Sequence, residues 1–368
     1  MSERKGNHMA PPYSSFRNSL SNLAPIVIVC LFSFPVHFKY AFADYSEETA
    51  LSALNFSKVS YCNADLIRNW TCAACRNESA FVLKGLFENK TEGTLAFAGT
   101  SEGKIVVAFR GSLNIANWVD DIKYWGTPYP NASCENCLVH RGFFDAFESL
   151  RAQVRQALHE LIVSEPNFPV LITGHSLGGA LALLTAVDLM SSPPVVPSLQ
   201  GGNYPSVQLY TFGKPRVGNP AFVQWVKTLF RSGSHESYRA VHRKDIVPHL
   251  PPLFMGYVHA PHELWFKYDD PLECLNCSDM DDINFSTGSV GEDYCCSDSL
   301  DYPSVADHLM YLGVCTGCAC DGPTTASIPG LNISWETRQM LAKDRAYAQR
   351  KRPRKSCTVL RAVDKPAD

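Results

Sequence analysis

Residues 174–178 read Gly-His-Ser-Leu-Gly, so a serine stands midway between two glycines. Such a serine is typical of a sharp strand-to-helix turn, in which it occupies a strained backbone region. A side chain two positions before or after it would collide with the neighbouring strand or helix, so both positions require glycine. The pattern is short, and an ordinary glycine-rich turn is the simpler alternative.

The residues on either side favour a nucleophilic turn. Residues 168–173, FPVLIT, predict a short buried strand, and residues 180–190, ALALLTAVDLM, predict a strongly apolar helix. Strand, turn and helix therefore follow in the order that an exposed nucleophilic serine requires.

The surrounding chain alternates between strand-like and helix-like stretches. Further strands are predicted at 105–109, 207–212 and 238–241, and further helices at 143–161 and 220–229. This alternation indicates an α/β fold, a mostly parallel central sheet flanked by helices. In such sheets, sites form at the carboxyl ends of the strands.

Composition sets the limits of the domain. The 368 residues are 45% hydrophobic, enough for one large domain or two small ones. The net charge of -3 gives no electrostatic reason to expect nucleic-acid binding. We place the folded domain at residues 44–320. Residues 321–368 lose apolar periodicity and are rich in basic residues near the end, which predicts a low-order tail.

Residues 1–43 resemble a secretory signal. Lys5 and Arg17 supply positive charge, residues 24–34 form an apolar run of 11 residues, and Ala41-Phe42-Ala43 offers a cleavage site. A membrane span needs roughly 20 apolar residues, so this run is short for one. An uncleaved signal anchor is the alternative. Both place the folded part outside the cytosol, in the extracellular space or the lumen of the secretory pathway.

The cysteines and glycosylation sequons agree with that location. Of 14 cysteines, Cys30 falls in the signal, and most of the other 13 stand in close pairs or triplets, which predicts disulfides rather than zinc ligands. Eight N-x-S/T sequons are consistent with a glycosylated surface. They stand at Asn55, Asn69, Asn77, Asn89, Asn131, Asn276, Asn284 and Asn332.

Some disulfide pairs can be predicted. Cys72 and Cys75 can close a tight loop, and Cys62 is expected to reach one of three later cysteines, Cys315, Cys318 or Cys320. The pair at positions 274 and 277 is expected to cross-link with the pair at 295 and 296. An odd total leaves one thiol free, for which Cys357 is the candidate.

A serine hydroxyl needs a histidine to take its proton and a carboxylate to orient that histidine. In folds with this turn the chain order is serine, acid, histidine, so only residues after Ser176 qualify. Asp245 follows the predicted strand at 238–241, where the acid is expected, and Asp307 is a rival. Spacing does not choose among the downstream histidines, which are His249, His259, His262 and His308.

Five short motifs occur along the chain in a fixed order, and together they are more specific to one protein family than any one motif alone. They are FRGS at 109–112, VHRGF at 139–143, GHSLGGA at 174–180, TFGKPRVGN at 211–219 and DIVPHLPP at 245–252. Over residues 50–320 the chain resembles the class 3 lipases, the family of filamentous-fungal triacylglycerol lipases. The resemblance implies an α/β-hydrolase fold with a helical lid. It implies Ser176 as the nucleophile, Asp245 as the orienting acid and His308 as the base.

The same resemblance implies an oxyanion hole. Ser112 would contribute its backbone N–H and its hydroxyl, and Leu177 its backbone N–H. Asp121 matches the carboxylate that holds the hydroxyl of the oxyanion serine, although an ordinary solvated helix face is an alternative for it. Apolar residues next to the triad are expected to contact substrate: Val247, Leu250 and Leu309.

A lid is implied between Ser112 and His140. Residues 115–125 carry apolar side chains with helical spacing, and in the family a short amphipathic helix here covers the site. Its apolar face would consist of Ile115, Trp118, Val119 and Ile122. An ordinary surface helix is the alternative, and the Cys134/Cys137 loop with the Asn131 sequon departs from the fungal pattern.

The sequence thus predicts a secreted serine esterase that hydrolyses acylglycerols, a triacylglycerol lipase, at an oil–water or membrane interface with transient surface contact. No metal or organic cofactor is implied. A phospholipase A1 or a feruloyl-type carboxylesterase is the alternative within the same chemistry, and the apolar lid face with Trp118 favours a lipase over the latter. A catalytically silent binding protein on this fold is disfavoured because the serine, acid and histidine are all present.

Overall fold

A computed structural model describes the chain from residue 45 onward, with gaps. The described residues are 45–191, 205–232, 234–260, 262–267, 274–276, 297, 304–320, 333–351 and 360–361. The signal predicted at residues 1–43 lies outside them. Within these ranges no helix is both long and apolar enough to cross a membrane.

The centre of the described chain is a mixed sheet. The strands, in chain order, are β1 (Val82–Asn89), β2 (Thr94–Ser101), β3 (Lys104–Phe109), β4 (Gly126–Pro128), β5 (Leu138–His140), β6 (Val170–His175), β7 (Val207–Phe212), β8 (Glu236–His242), β9 (Glu263–Phe266), β10 (Cys274–Asn276), β11 (Met310–Tyr311), β12 (Val314–Cys315) and β13 (Leu360–Arg361). Nine of these described strands form the main sheet, in the order β1-β2-β3-β6-β7-β8-β9-β10-β13. The run from β3 to β9 is parallel. The predicted α/β architecture with a parallel sheet is confirmed.

Helices cover both faces of this sheet. In chain order the described α-helices are α1 (Glu47–Val59), α2 (Ala64–Arg68), α3 (Ile115–Asp121), α4 (Arg141–Ser164), α5 (Leu177–Ser191), α6 (Pro220–Arg231) and α7 (Trp335–Lys351). Side chains of α4, α5 and α6 share one apolar core with the sheet, and those of α1 share a second core on the other face.

The alternation along β3 explains the two cores. Ile105 and Val107 point into the core shared with α4 and α5, whereas Val106 and Ala108 point into the core shared with α1. A parallel strand that is buried on both faces reads as a continuous apolar run, which is why β3 could be predicted from the sequence. The turn after β6 that carries Ser176 therefore follows a strand in which every residue is buried.

Four disulfides join described cysteines. Cys62 bonds to Cys318, Cys72 to Cys75, Cys134 to Cys137 and Cys315 to Cys320. The Cys72–Cys75 loop and the long-range reach of Cys62 are confirmed. The predicted cross-link between the 274/277 pair and the 295/296 pair, and the predicted free thiol at position 357, rest on side chains outside the described part of the chain.

One sequon differs from the expected glycosylated surface. Asn55 is buried on α1, and its Nδ2 donates a hydrogen bond to Oε1 of Glu78 at 3.3 Å. By contrast, Asn69 and Asn77 are exposed. The sequon at Asn55 therefore faces the interior and is not part of the surface.

The C-terminal region also differs from the prediction. Residues 321–368 were expected to form a low-order tail, yet residues 335–351 form helix α7, with Leu341 and Ala348 buried. The helix has a narrow apolar stripe among many charged residues, so the average composition of residues 335–351 did not indicate a packed helix. It packs against the short 3-10 turn Leu253–Met255.

Candidate active site

The turn between β6 and α5 has the geometry that the sequence predicts. Ser176 lies between the last residue of β6 and the first residue of α5, with a φ of 60°. A Cβ on Gly174 would lie 2.2 Å from the carbonyl oxygen of Gly178, and one on Gly178 would lie 2.2 Å from that of Phe109. Both glycines are therefore needed for this approach of helix to strand.

Asp245 and His308 form a buried hydrogen-bonded pair. Asp245 follows β8, and His308 stands in the 3-10 turn Ala306–Leu309. Nδ1 of His308 lies 2.8 Å from Oδ2 and 2.9 Å from Oδ1 of Asp245. A carboxylate only accepts hydrogen bonds, so Nδ1 carries the proton and Nε2 offers its lone pair.

Ser176 lies next to this pair. Its neighbour His175 places its ring centroid 4.3 Å from that of His308. Oγ of Ser176 and Nε2 of His308 are both buried, and neither has a hydrogen-bond partner among the described residues. The two atoms are therefore not hydrogen-bonded to each other in this arrangement, although the ring contact brings the Ser176 turn against His308.

His175 ties the nucleophile turn to the loop that carries the base. Its Nε2–H donates to the carbonyl oxygen of His308 at 2.8 Å, and the hydroxyl of Tyr61 donates to its Nδ1 at 2.7 Å. Burial, with the neighbouring His308 ring, holds the pKa of His175 well below its usual value. The ring is therefore neutral. Its proton is on Nε2, which is the tautomer that both hydrogen bonds require.

Asp245 is held from three sides. Besides His308, it accepts hydrogen bonds from the Tyr311 hydroxyl and from the backbone N–H of Val247 at 2.8 Å. Burial raises the pKa of Asp245, but these partners more than offset it, so the pKa lies below its usual range. Burial and the adjacent carboxylate raise the pKa of Tyr311 well above the normal value, so Tyr311 stays a donor.

The candidate oxyanion residues lie around Ser176. Leu177 begins α5, where a backbone N–H has no acceptor within the helix. A Cβ on Gly111, the residue before Ser112, would lie 3.0 Å from Cβ of Ser176, which places the Ser112 segment against the nucleophile. Asp121 is exposed and has no hydrogen bond in the described part of the chain, so the expected bond to Ser112 is not formed in this arrangement.

Helix α3 occupies the place predicted for the lid. Ile115, Val119 and Ile122 are buried, and Trp118 is half-buried. Ile115 and Val119 share an apolar cluster with the predicted substrate residues, Val247, Leu250 and Leu309. The apolar face of α3 is therefore turned inward onto those residues.

Comparison with known proteins agrees with this geometry. The sequence model for lipase (class 3) matches residues 106–255. The lipase of Rhizomucor miehei is 34% identical over 266 residues, 70% of this chain and 66% of the relative. The secreted mono- and diacylglycerol lipase 1 of Fusarium solani is 31% identical over 260 residues, 67% of this chain and 68% of the relative. The chain belongs to the class 3 lipase family.

The fold of this chain also matches that of a solved lipase structure. The structure of a triacylglycerol lipase, whose catalytic centre is formed by a serine protease triad, superposes with a TM-score of 0.63 at 31% identity. The match covers 74% of this chain and 96% of that one. In sequence, the aligned region spans just under two thirds of the Rhizomucor lipase.

His308 lies beyond the residues that the class 3 lipase model matches, so its assignment rests on geometry. Four histidines follow Asp245 as candidates, and among those within the described residues His308 is the one that hydrogen-bonds to Asp245. His259, for example, donates from Nε2 to the carbonyl oxygen of Pro248 at 2.7 Å. Asp307, the rival acid, accepts a hydrogen bond from the backbone N–H of Lys244 at 3.2 Å.

Sequence reasoning missed three residues of this class 3 lipase site. Tyr61 bonds to His175, His175 to the backbone of His308 and Tyr311 to Asp245, yet none of the three belongs to a pattern that predicts such a contact. His175 and Tyr311 stand within stretches that contain the nucleophile and the base, which is the one signal available. Among the described residues, no group of three or more His, Cys, Asp or Glu side chains is placed to hold a metal ion.

Proposed function

We propose that the chain is a secreted serine esterase that hydrolyses the ester bonds of acylglycerols at a lipid–water interface. Ser176 is the nucleophile, His308 the general base and Asp245 the acid that orients it. The single observation that carries the proposal is the buried Asp245–His308 pair, whose His308 ring lies 4.3 Å, centroid to centroid, from the ring of His175, the residue before Ser176.

The first half of the reaction forms an acyl-enzyme. Nε2 of His308 takes the proton of Ser176 as Oγ attacks the ester carbonyl carbon. Asp245 fixes the ring through Nδ1 and stabilises the imidazolium that forms. His308 then passes the proton to the departing alcohol, and the acyl group remains on Ser176.

The developing negative charge needs fixed donors. The N–H of Leu177, at the positive end of the α5 dipole, and the N–H and hydroxyl of Ser112 are proposed for this role. One such donor stabilises the transition state by about 3 kcal/mol in comparable sites. Asp121 is proposed to orient the Ser112 hydroxyl once the lid has moved.

The second half of the reaction releases the fatty acid. Water enters the site, His308 takes its proton, and the resulting attack on the acyl carbon repeats the same steps. Each step is proposed to use water and the chain's own side chains and backbone N–H groups.

The lid supports a lipid substrate. Ile115, Trp118, Val119 and Ile122 are turned inward, so opening α3 would expose an apolar face that a lipid surface can accept. The names of the relatives, which include a mono- and diacylglycerol lipase, support acylglycerols as the substrate class. The four disulfides support an oxidising compartment outside the cytosol.

Ser176→Ala tests this proposal against Ser232→Ala, which removes an exposed serine hydroxyl far from the turn in sequence. Hydrolysis of emulsified triacylglycerol should fall by at least 10⁴-fold, roughly the cost of losing a triad member, in the first variant only. Equal activity in the two variants, with equal thermal stability, would refute the mechanism. A panel of triacylglycerol, phospholipid and feruloyl esters then identifies the preferred ester.

A further inference from the structure

The C-terminal helix α7 contacts the lid through a carboxylate. Asp120, on the polar face of α3, accepts hydrogen bonds from the Ser334 hydroxyl at 2.9 Å and the Thr337 hydroxyl at 2.7 Å. The backbone N–H of Ser334 lies 3.1 Å and 3.2 Å from its two oxygens. Partial burial raises the pKa of Asp120, yet these donors hold it below its usual range. The carboxylate therefore stays ionised and bonded.

Apolar contacts lie beside this polar connection. Leu341 of α7 is buried in the same cluster as Ile115 and Val119 of the lid, and Ile333 and Met340 pack against that cluster. Asp120 is next to Val119 in the sequence, so the polar and the apolar contacts are made to the same turn of α3. Lid opening must break both.

The middle of α7 is fixed to the body of the protein. Asp344 accepts a hydrogen bond from the backbone N–H of Phe254 at 3.1 Å and pairs with the buried guanidinium of Arg216 at 3.5 Å. Lys343 places its ammonium 4.4 Å from the centre of the Phe254 ring. None of these contacts involves the lid, so α7 can stay in place while α3 moves.

We propose that α7 is an intramolecular latch, in which Ser334 and Thr337 are positioning residues that hold the lid closed through Asp120. The latch adds a specific restraint to the apolar closure of the lid, so fewer molecules are open in water. Its consequence for hydrolysis rests on the proposed function of Ser176. At a lipid surface, the free energy gained when the apolar face of the open lid contacts lipid must exceed the free energy lost when the Asp120 hydrogen bonds break.

Asp120→Ala in the full chain removes the latch, and Glu336→Ala is the matched control. Glu336 is an exposed carboxylate in the first turn of α7 without a hydrogen bond to the lid. Loss of several bonds to an exposed carboxylate should raise the open population about tenfold. We expect labelling of Ser176 by a soluble fluorophosphonate, and hydrolysis of a dissolved short-chain ester, to rise by that factor in Asp120→Ala alone. Hydrolysis of emulsified ester should change less than about twofold, because the lipid surface already opens the lid.

Thr337→Val provides a second, nearly isosteric variant if Asp120→Ala does not fold. It removes one bond, so we expect a rise of about threefold on dissolved ester. Unchanged labelling and unchanged dissolved-ester rates in the folded variants would overturn the latch.

Hydrogen exchange separates failure of the latch from failure of the proposed function. If neither the wild type nor any variant is labelled at Ser176 or hydrolyses ester, the proposed function fails. Amide exchange of residues 115–121 still tests the latch in that case. Faster exchange in Asp120→Ala than in Glu336→Ala supports it, and equal exchange refutes it.

Discussion

Tyr311→Phe tests how the orienting acid is held. The change removes only the hydroxyl that donates to Oδ2 of the fully buried Asp245. A hydrogen bond to a charged group contributes about 1.5–3 kcal/mol, so the free energy of unfolding near neutral pH should fall by that amount. The same loss raises the pKa of Asp245 from its depressed value, because the Tyr311 hydroxyl stabilises the ionised carboxylate.

The sign of the pH effect follows from the depressed pKa of Asp245. The ionised carboxylate stabilises the fold above the unfolded-state pKa, and this contribution is lost as the pH falls through the folded-state pKa. In Tyr311→Phe that loss should begin at higher pH. We also expect kcat to fall by up to about tenfold, because a less fixed Asp245 holds the His308 ring less firmly.

Two measurements check this prediction. Urea unfolding at pH 7 and pH 4 gives the stability change, and kcat against pH gives the acid limb of activity. Tyr129→Phe is the matched control, since it removes a hydroxyl from a buried tyrosine of the core on the opposite face of the sheet. If Tyr311→Phe equals the control in both measurements, the hydroxyl does not support Asp245.

Two further changes test the turn and the pH dependence of the fold. Gly178→Ala should abolish activity and lower the melting temperature, since its Cβ would meet the Phe109 carbonyl oxygen at 2.2 Å, whereas Gly126→Ala, with no atom nearer than 3.6 Å, should be tolerated in both assays. Burial lowers the pKa of His140 to about 4, so its neutral form stabilises the fold fully above pH 6.5 and progressively less towards pH 4. His140→Asn keeps a capping acceptor for α4 but has no group that titrates in this range. Between pH 7 and pH 4.5 the free energy of unfolding of the wild type should therefore fall by about 2–3 kcal/mol more than that of the variant. An equal fall in both proteins would contradict this.

The centre of the fold could be predicted because its signals are local. The apolar runs at 105–109 and 207–212 became β3 and β7, and the helix predicted at 180–190 became α5, Leu177–Ser191. The flanking β1 and β2 were not predicted. β1 is only partly buried, and antiparallel edge strands of that kind lack a continuous apolar run.

The site could be predicted only in part, for a different physical reason. The glycines around Ser176 act within one turn, so the sequence displays them. The choice of His308 came from the family resemblance, because spacing carries no information about which histidine reaches Asp245 from 63 positions away in the chain. Tyr61 reaches His175 across 114 positions of the chain, a contact that only tertiary packing creates.

Helix α7 shows the same limit at the C-terminus. Its mostly polar residues 335–351 predicted a low-order tail, yet Asp344 meets Arg216 from 128 positions away. A buried charge is stable only where its partner is supplied, and that partner lies in another part of the fold. Without knowledge of that partner, the stripe of apolar residues in α7 was too narrow to predict the helix.

The Cys62–Cys318 disulfide makes the catalytic part of the chain a closed covalent ring. The ring spans a sequence separation of 256 residues and contains Ser112, Ser176, Asp245 and His308. A protease that cut it once, anywhere between the lid and the base, would leave both pieces attached until the disulfide was reduced. Helix α7 lies outside the ring, and none of the described disulfides extends past Cys320. A single cut between residues 320 and 333 would therefore break the chain between α7 and the intact ring, and within the described residues noncovalent contacts such as the Asp344–Arg216 pair would then hold the helix that touches the lid.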